Sequence, residues 1–503
     1  MGHQEVELKL RLTSEIADRL RRSGLIRSLK NGRAKTRNLR AVYFDTPDLS
    51  LKTMGLALRV RQESGKRVQT LKAANGVVPG LHDRMEWNAV IAGNGPDLAK
   101  IDDRKLRAKL RNVGLHHRVK PVFKTDIRRT SWILEYEGSS IELSLDQGKI
   151  SAGRRRNEVC EAELELIEGD PLHLLRLAME IGEAMPIFLD TRTKSSRGYN
   201  LYLNEKPRPR KAEPVNLTPE MTVWEAFTAI VNEAVGQLLA NEWPVRLADD
   251  PEGIHQARVG VRRLRAAMSV FRPVLPRQQV ADLKTELAWL QRGFGPARDW
   301  DVFIGETLEP LRHRLPHDEA IKTLQGQAER ARERAYSDAH DVLDSRRFTR
   351  LILTLQHWVS EEAPSKKLRK PIAGPASRFI AKRHGKVMQD AGDDIEALGE
   401  SALHDLRIEI KKARYTVEFL GGLFSKKGAK HYARQAGDLQ DCLGGLNDAV
   451  VARYLIESVE QHDGAVSGYA KEVLAGWHAA RIDAGLGNLK KIWGQFNALP
   501  NFW

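Results

Sequence analysis

The chain has 503 residues, which is too long for one ordinary core and long enough for two or three domains. Hydrophobic residues make up 41% of the sequence, so each domain can bury a core, and the formal net charge of +15 favours polyanionic partners such as polyphosphate, nucleotides or nucleic acid. The two cysteines, Cys160 and Cys442, exclude a disulfide framework, and no apolar run approaches the ~20 residues that span a bilayer, so we expect a cytoplasmic protein without a membrane-embedded part.

The first ~200 residues alternate between apolar and polar side chains with the period of two that is typical of β-strands. Clear runs occupy residues 5–10, 58–61, 141–146 and 161–166. Turn-forming pairs such as Asn75-Gly76 separate such runs, and helical stretches occur at 14–24 and 172–182. We therefore predict an α+β domain over this part of the chain.

Charged side chains gather on the polar faces of these predicted strands, because residues i and i+2 of a strand point the same way. The face-sharing sets are Glu5, Glu7 and Lys9; Arg59 and Arg61; Thr70 and Lys72; and Glu161, Glu163 and Glu165. For any single strand, a sheet with one solvated face is the ordinary interpretation. If such faces close into a barrel, however, they form a charged lumen, in which carboxylates can hold Mg²⁺ or Mn²⁺ and cations can clamp phosphates. The pattern favours a hydrolytic phosphoryl-transfer site.

The run Glu5-Val6-Glu7-Leu8-Lys9 resembles the ExExK motif of the CYTH superfamily, the triphosphate tunnel metalloenzymes. Companion pieces follow in the family's order at residues 43–46, 58–61, 70–73, 86–87, 125–132, 142–148, 161–166 and 193–199. The resemblance covers about residues 1–203. It implies an N-terminal antiparallel β tunnel barrel with flanking helices, which binds a triphosphate together with a divalent metal.

This resemblance also implies roles for individual residues. The metal ligands would be Glu5, Glu7, Glu161 and Glu163, with Mg²⁺ or Mn²⁺ as the cofactor. The phosphate-binding residues would be Lys9, Arg59, Arg61, Lys72, Arg129 and Lys194. The catalytic residues would be Lys9 and Glu163, with Glu163 as the carboxylate that orients the attacking water.

A basic stretch rich in proline follows the tunnel segment. Residues 206–211 read KPRPRK, and Pro214 and Pro219 come shortly after. Prolines and like charges are typical of a solvated linker. We therefore predict a linker at 204–219, between a first domain at 1–203 and a helical domain at 220–500.

The helical segment contains an internal repeat with an offset of 149 residues. Residues 254–265 read IHQARVGVRRLR, and residues 403–414 read LHDLRIEIKKAR. The same offset relates Gly295 to Gly444 and Asp299 to Asp448. This repetition predicts an all-α domain of two duplicated helical bundles, at about 223–350 and 374–493.

Each copy of the repeat places a cationic stripe, led by a histidine, on one helix face; at 100° per residue the stripe is about 80° wide. The stripes consist of His255, Arg258, Arg262 and Arg265 in the first copy and of His404, Arg407, Lys411 and Arg414 in the second. A solvated basic face is the ordinary interpretation of one such helix. Two stripes in matching register favour an anionic ligand, because an anion relieves the repulsion between stacked like charges. Nucleic acid is the less favoured ligand, since few aromatic residues for base stacking accompany the stripes.

The repeated HxxRVxxRRLR-like motif resembles the CHAD domain, over about residues 220–493. CHAD domains are helical and duplicated, and they bind inorganic polyphosphate. The resemblance therefore implies that the two stripes, together with Arg263 and Lys412, bind polyphosphate. The second copy has Lys411-Lys412 where the first has Arg262-Arg263, which keeps the charge but loses the guanidinium fork.

Together, the two resemblances imply metal-dependent hydrolysis of inorganic triphosphate to pyrophosphate and phosphate in the tunnel, with polyphosphate bound by the helical domain. Other triphosphate substrates stay open: thiamine triphosphate, a nucleoside triphosphate, or ATP in class IV adenylate cyclase-like chemistry. A non-catalytic polyphosphate-binding scaffold is a further alternative, and so is nucleic-acid binding driven by charge. The expected location is the cytoplasm, with association with polyphosphate granules as a further expectation.

Overall fold

The computed structural model describes residues 3–63, 65–78, 81–112, 119–248 and 250–503. The chain divides into two units. The first unit contains Met1–Arg208 together with Asp344–Glu361, and the second contains Pro209–Leu343 together with Glu362–Trp503. Among the described residues, no helix combines the length and the hydropathy that crossing a bilayer requires.

The first unit is built on an antiparallel β-sheet that closes on itself. Its strands are β1 (His3–Arg11), β2 (Lys30–Asp45), β3 (Leu56–Glu63), β4 (Lys66–Val78), β5 (Leu81–Ile91), β6 (Lys120–Tyr136), β7 (Ser139–Ala152), β8 (Arg155–Glu168) and β9 (Phe188–Leu189). Neighbouring strands follow the order β5-β4-β3-β2-β6-β7-β8-β1-β9, and β1 also pairs with β5. Because β1 pairs with β8 on one side and with β5 on the other, strands β1 to β8 form a closed barrel.

The helices of the first unit pack outside this barrel. They include α1 (Ser14–Arg21), α2 (Gly24–Leu29), α3 (Ser50–Thr53), α4 (Arg104–Asn112), α5 (Leu172–Ala184) and α6 (Lys194–Leu203). Strand alternation explains the arrangement. On β1, Leu8 and Leu10 are fully buried on the outer face, where α5 contacts the strand, whereas Glu5, Glu7 and Lys9 line the interior.

The second unit is helical. Its helices are α7 (Val223–Ala240), α8 (Glu242–Leu247), α9 (Glu252–Val270), α10 (Arg277–Gly293), α11 (Gly295–Phe303), α12 (Glu309–Arg314) and α13 (Glu319–Leu343), and, after α14 (Arg346–Ser360) of the first unit, α15 (Ala373–Ala391), α16 (Glu400–Leu420), α17 (Lys426–Cys442), α18 (Gly444–His462), α19 (Gly468–Leu486) and α20 (Leu489–Asn497). Helices α10, α11 and α13 begin 149 residues before α17, α18 and α19, respectively.

The two motif-bearing helices occupy equivalent positions, because α9 packs on α7 and α16 packs on α15. Gly260 permits the first of these approaches: a Cβ atom there would lie 3.1 Å from the Ala234 carbonyl oxygen. Val261 and Leu264 on α9, like Ile410 on α16, are fully buried. The apolar faces of α9 and α16 therefore build the core, and their cationic stripes lie beside it.

This architecture confirms the predicted fold class, an antiparallel β tunnel barrel with flanking helices and a C-terminal helical region. One local prediction is wrong: Asn75-Gly76 does not form a turn, because β4 continues to Val78. The β4–β5 pairing instead shifts its register between Ala74 and Val77, so the strand accommodates the pair as an irregularity in the ladder.

Candidate functional site

The barrel interior is a cavity of about 490 Å³ that is lined mainly by charged side chains. The sequence-predicted residues in its lining are Glu5, Glu7, Lys9, Arg59, Arg61, Lys72, Arg129, Glu163 and Lys194. Glu161 is buried in direct contact with Lys194. The structure therefore brings all the predicted tunnel residues to one site.

Strand register sets which charges meet. On the β1–β8 ladder, Lys9 lies opposite Glu163, and on the β6–β7 ladder, Arg129 lies opposite Asp146. The β7–β8 ladder then places Asp146 opposite Glu161. Side chains that lie opposite each other point to the same face, so three adjacent ladders deliver these five charges to one region of the lumen.

Three buried carboxylates form the centre of this region: Asp146, Glu161 and Glu163, called here the carboxylate cluster. One oxygen from each lies within 4.8 Å of the others. Lys194 Nζ lies 2.6 Å from Asp146, 2.5 Å from Glu161 and 3.0 Å from Glu163. Arg129 contacts Asp146 and Glu163, and Lys9 contacts Glu163. Buried charges at such spacing are stable only because opposite charges alternate.

These contacts keep Glu163 and Asp146 ionised. Burial by itself raises the pKa of Glu163, but the charges of Lys194, Lys9 and Arg129 outweigh it and hold that pKa well below its usual range. The pKa of Asp146 is lowered in the same way, against burial, by Arg129 and Lys194. Burial lowers and the three carboxylates raise the pKa of Lys194, which ends well above its usual value. At neutral pH, Glu163, Asp146 and Lys194 therefore all carry full charge.

The carboxylate cluster fits a divalent metal ion by its donor chemistry. Mg²⁺ and Mn²⁺ prefer oxygen ligands, and three carboxylates converge here within reach of one cation. The family resemblance implies Glu161 and Glu163 as ligands, but it does not imply Asp146. Its signal was the alternation Glu142-Ser144-Asp146, which places Asp146 on the polar face of its strand.

The other two predicted ligands, Glu5 and Glu7, lie on β1, the strand next to β8, and line the same cavity. Glu5 accepts a hydrogen bond from Lys72 at 2.6 Å, and Glu7 lies 3.2 Å from Lys9. Glu165 lines the same cavity. Burial, and next the charges of Glu5 and Glu7, raise the pKa of Glu165 to about 7. Neither Glu5 nor Glu7 belongs to the close group of three carboxylates.

Arg59 and Arg61 supply guanidinium donors on the opposite wall. Arg59 lies 3.8 Å from Glu86, and Arg61 lies 2.8 Å from Glu63. The Nε atoms of both arginines are buried and have no hydrogen-bond partner among the described residues. Burial, and next the charge of Arg59, lower the pKa of Arg61. Two buried donors without acceptors are suited to an anion in the lumen.

The second unit contains a separate cavity of about 1480 Å³, called here the basic cavity. Both cationic stripes reach it, from α9 and from α16. The predicted residues in its lining are His255, Arg258, Arg262, Arg263, Arg407, Lys411 and Arg414. Arg265, His404 and Lys412 are not among the lining residues: Arg265 bonds to Gln291, Lys412 pairs with Glu409, and His404 is exposed.

The cations of the basic cavity are only partly neutralised. Burial, and next Arg407 and Arg262, lower the pKa of Lys411 to about 8. Arg258 lies 3.8 Å from Asp299, yet its Nε and Nη1 atoms are buried without a hydrogen-bond partner among the described residues. Arg263 is different, because it pairs with Glu233 and lies over the Phe419 ring. Arg263 therefore has a structural partner, although its Nε, like the Nε and Nη1 of Arg258, is buried without a hydrogen-bond partner among the described residues.

Sequence reasoning missed two contributions to this cavity. Arg298 lines the basic cavity. Burial, and next the charge of Arg298, lower the pKa of His255 to about 4. The predicted linker also reaches the cavity, since residues 211–216 line it. Asn241, fully buried, anchors the approach to that stretch by bonding both the amide and the carbonyl of Arg210. This stretch is held in place by the second unit.

Comparison with known proteins finds a family match in each half of the chain. The CYTH domain family matches residues 3–199, and the CHAD domain family matches residues 229–457. An inorganic triphosphatase of Haemophilus influenzae is 33% identical over 199 residues, which is 39% of this chain and 55% of that protein. The match thus spans about half the length of that relative.

Two further relatives cover the helical half. An uncharacterised protein of Mycobacterium tuberculosis is 27% identical over 460 residues, 86% of this chain and 84% of that protein. The crystal structure of the CHAD domain from Ricinus communis aligns with a TM-score of 0.51 and 30% identity, over 58% of this chain and 98% of that one. The recognition of both domains from sequence motifs is confirmed.

Proposed function

We propose that this chain, which joins a CYTH domain to a CHAD domain, hydrolyses inorganic triphosphate to pyrophosphate and phosphate with Mg²⁺ or Mn²⁺ in its tunnel. The observation that carries the proposal is the buried carboxylate cluster held among Lys9, Arg129 and Lys194. Such a site offers ligands for a metal and cations for phosphates within one enclosed cavity. The 33% identity to an inorganic triphosphatase supports the reaction class.

The residues of the tunnel divide the work by charge. Asp146, Glu161 and Glu163 hold the divalent ion, with Glu5 and Glu7 on the adjacent strand as further carboxylates. When bound, the ion supplies positive charge to the phosphate oxygens. The phosphate chain is bound by Arg59, Arg61 and Lys72. Lys9, Arg129 and Lys194, which lie beside the carboxylate cluster, bind it as well.

Glu163 is the proposed residue for orienting the attacking water. Its carboxylate is ionised and buried, and Lys9 contacts it from the neighbouring strand. An ionised carboxylate accepts a hydrogen bond from water and so fixes the direction of attack. Lys194, and next Lys9, keep Glu163 ionised. Once substrate is bound, Lys9 stabilises charge that builds up on the phosphates.

A panel of substrates resolved by product tests this function. The purified 503-residue chain is incubated with tripolyphosphate, thiamine triphosphate and ATP, each with Mg²⁺ and with Mn²⁺. We expect tripolyphosphate to turn over fastest, with equal release of orthophosphate and pyrophosphate and none with chelator. Faster turnover of ATP with pyrophosphate and a cyclic nucleotide as products would favour cyclase chemistry. If no metal supports phosphate release, the result would favour a non-catalytic scaffold that only binds phosphate.

We further propose that the basic cavity binds inorganic polyphosphate and so brings the enzyme to polyphosphate granules in the cytoplasm. The unpaired donors of Arg258 and the lowered pKa of Lys411 support an anionic ligand. Competition distinguishes polyphosphate from nucleic acid: long-chain polyphosphate should displace any bound DNA at moderate salt. DNA that resists displacement would overturn the assignment.

A further inference from the structure

Helix α14 lies within the stretch that the CHAD domain family matches, yet it belongs to the first unit. Its contacts there are with α5 and β9. In the second repeat, α20 follows α19 as α14 follows α13, and α20 contacts α17 and α19 of its own repeat. The helix of the first repeat that corresponds to α20 therefore packs in the first unit, called here the tunnel unit.

One face of α14 meets α5 and the segment that follows it. Thr349, which is buried, donates a hydrogen bond from Oγ1 to the Ile187 carbonyl at 2.9 Å. Further along the same face, Arg176 donates from Nε to Nε2 of His357 at 2.9 Å. Leu353 lies between them in sequence and lines a small cavity with Ile187. Spacings of four residues place Thr349, Leu353 and His357 on one side of the helix.

The segment after Ile187 leads directly to the active site. It pairs with β1 through β9, and the amide of Asp190 donates to the Lys9 carbonyl at 3.1 Å. The Asp190 carboxylate accepts from the amide of Arg192 at 2.9 Å and from its guanidinium at 3.0 Å. Thr193 then caps α6, whose first residue is Lys194. The backbone from Ile187 to Lys194 is therefore fixed at several points.

From these contacts we infer that α14 helps to shape the tunnel site and that Thr349 is a positioning residue for Lys194. Thr349 holds the start of the segment, and Lys194 at its end contacts all three members of the carboxylate cluster. A segment restrained at both ends presents its lysine in one place. The effect on turnover rests on the proposed function, whereas the restraint on the segment does not.

The test compares matched variants of the full chain. Thr349→Val removes the hydroxyl and keeps the shape, Thr349→Ser keeps the hydroxyl, and Thr354→Val makes the same change at a half-buried threonine on another face of α14. We expect Thr349→Val to lower kcat for tripolyphosphate about tenfold, because small displacements of catalytic groups have large effects on rate. Thr349→Ser should retain most of the turnover, and polyphosphate retention should be unchanged in every variant.

A second readout is independent of catalysis. Amide hydrogen exchange over residues 187–194 should become faster in Thr349→Val and stay unchanged in Thr354→Val. Equal exchange and equal kcat in the two valine variants would overturn the inference, as would a loss of polyphosphate retention that matches the loss of turnover. If the wild type lacks turnover with every metal, the proposed function fails, and the exchange experiment alone decides the role of Thr349.

Discussion

Arg129 and Asp146 form a two-point ion pair inside the barrel, with Nε 2.7 Å from Oδ1 and Nη2 2.6 Å from Oδ2. Asp146 is fully buried, and the pair spans adjacent strands at directly opposite positions. The same guanidinium also contacts Glu163. One arginine therefore orients two members of the carboxylate cluster at once, with a planar geometry that lysine lacks.

Replacing Arg129 by lysine should lower tripolyphosphate turnover even though the charge is kept. The substitution loses the fork that aligns Asp146 and Glu163, so we expect kcat to fall by about one to two orders of magnitude. Arg128→Lys is the matched control, because Arg128 is the exposed neighbour on the same strand. Steady-state phosphate release measures both. Equal activity in the two variants would show that the fork is dispensable.

The adjacent lysines Lys411 and Lys412 of the second repeat should differ in polyphosphate binding. Lys411 lines the basic cavity, whereas Lys412 is paired with Glu409 and is not among the lining residues. We expect Lys411→Ala, like Arg262→Ala, to weaken polyphosphate binding about tenfold, since each removes a charged hydrogen bond. Lys412→Ala should bind like the wild type, and tripolyphosphate turnover should be nearly unchanged in all three variants. Loss of turnover together with binding would mean that the two halves form one site.

Polyphosphate affinity should also depend on pH through Lys411. Burial and neighbouring cations lower the pKa of this lysine to about 8 in the free protein, and a bound anion raises it. The affinity is therefore highest at neutral pH and falls as the pH rises above 8, by about tenfold between pH 7 and 9. Lys411→Arg should flatten this decline, because arginine stays charged throughout. An identical decline in both proteins would assign the effect to another group.

A buried aspartate should control the stability of the tunnel unit. Asp45 accepts hydrogen bonds from the amides of Thr46, Leu51 and Lys52 and, at 2.7 Å, from the hydroxyl of Tyr199 on α6. Asp45→Ala leaves these donors buried without an acceptor, so we expect a loss of about 3 kcal/mol in unfolding free energy, against about 1 kcal/mol for Tyr199→Phe. Asp48→Ala, at an exposed site in the same turn, is the control.

Urea unfolding that is followed by the loss of tripolyphosphate turnover reports on this unit. The urea midpoint should be highest for Asp48→Ala, lower for Tyr199→Phe and lowest for Asp45→Ala. A midpoint for Asp45→Ala equal to that of Asp48→Ala would contradict the role given to Asp45.

Strand alternation made much of the tunnel predictable. Glu161 and Glu163 share a face in any strand, and the structure places them on the barrel interior or buried beside it. Asp146 shows the limit of such reasoning. It carries the same alternation signal, but its importance comes from lying opposite both Arg129 and Glu161, and cross-strand register is set by the whole barrel.

The helical half shows a second limit. The repeat predicted matching cationic stripes, and α9 and α16 do carry them to one cavity. Periodicity identifies α14 as a helix but cannot tell which unit buries it, because the apolar spacing is the same against any partner. Spacing places Arg265 in the first stripe and the family resemblance adds Lys412, but neither reveals that Arg265 donates to Gln291 and Lys412 to Glu409 in the structure.

Glu163→Gln tests whether the carboxylate cluster makes the tunnel a metal-dependent triphosphatase. The matched control is Glu168→Gln, at an exposed position on the same strand. With tripolyphosphate and saturating Mg²⁺ or Mn²⁺, we expect the wild type and Glu168→Gln to release orthophosphate and pyrophosphate in equal amounts. Turnover by Glu163→Gln should be at least about 100-fold lower. Turnover in Glu163→Gln equal to that of the control, or turnover that persists without metal, would contradict the proposed role of the carboxylate cluster.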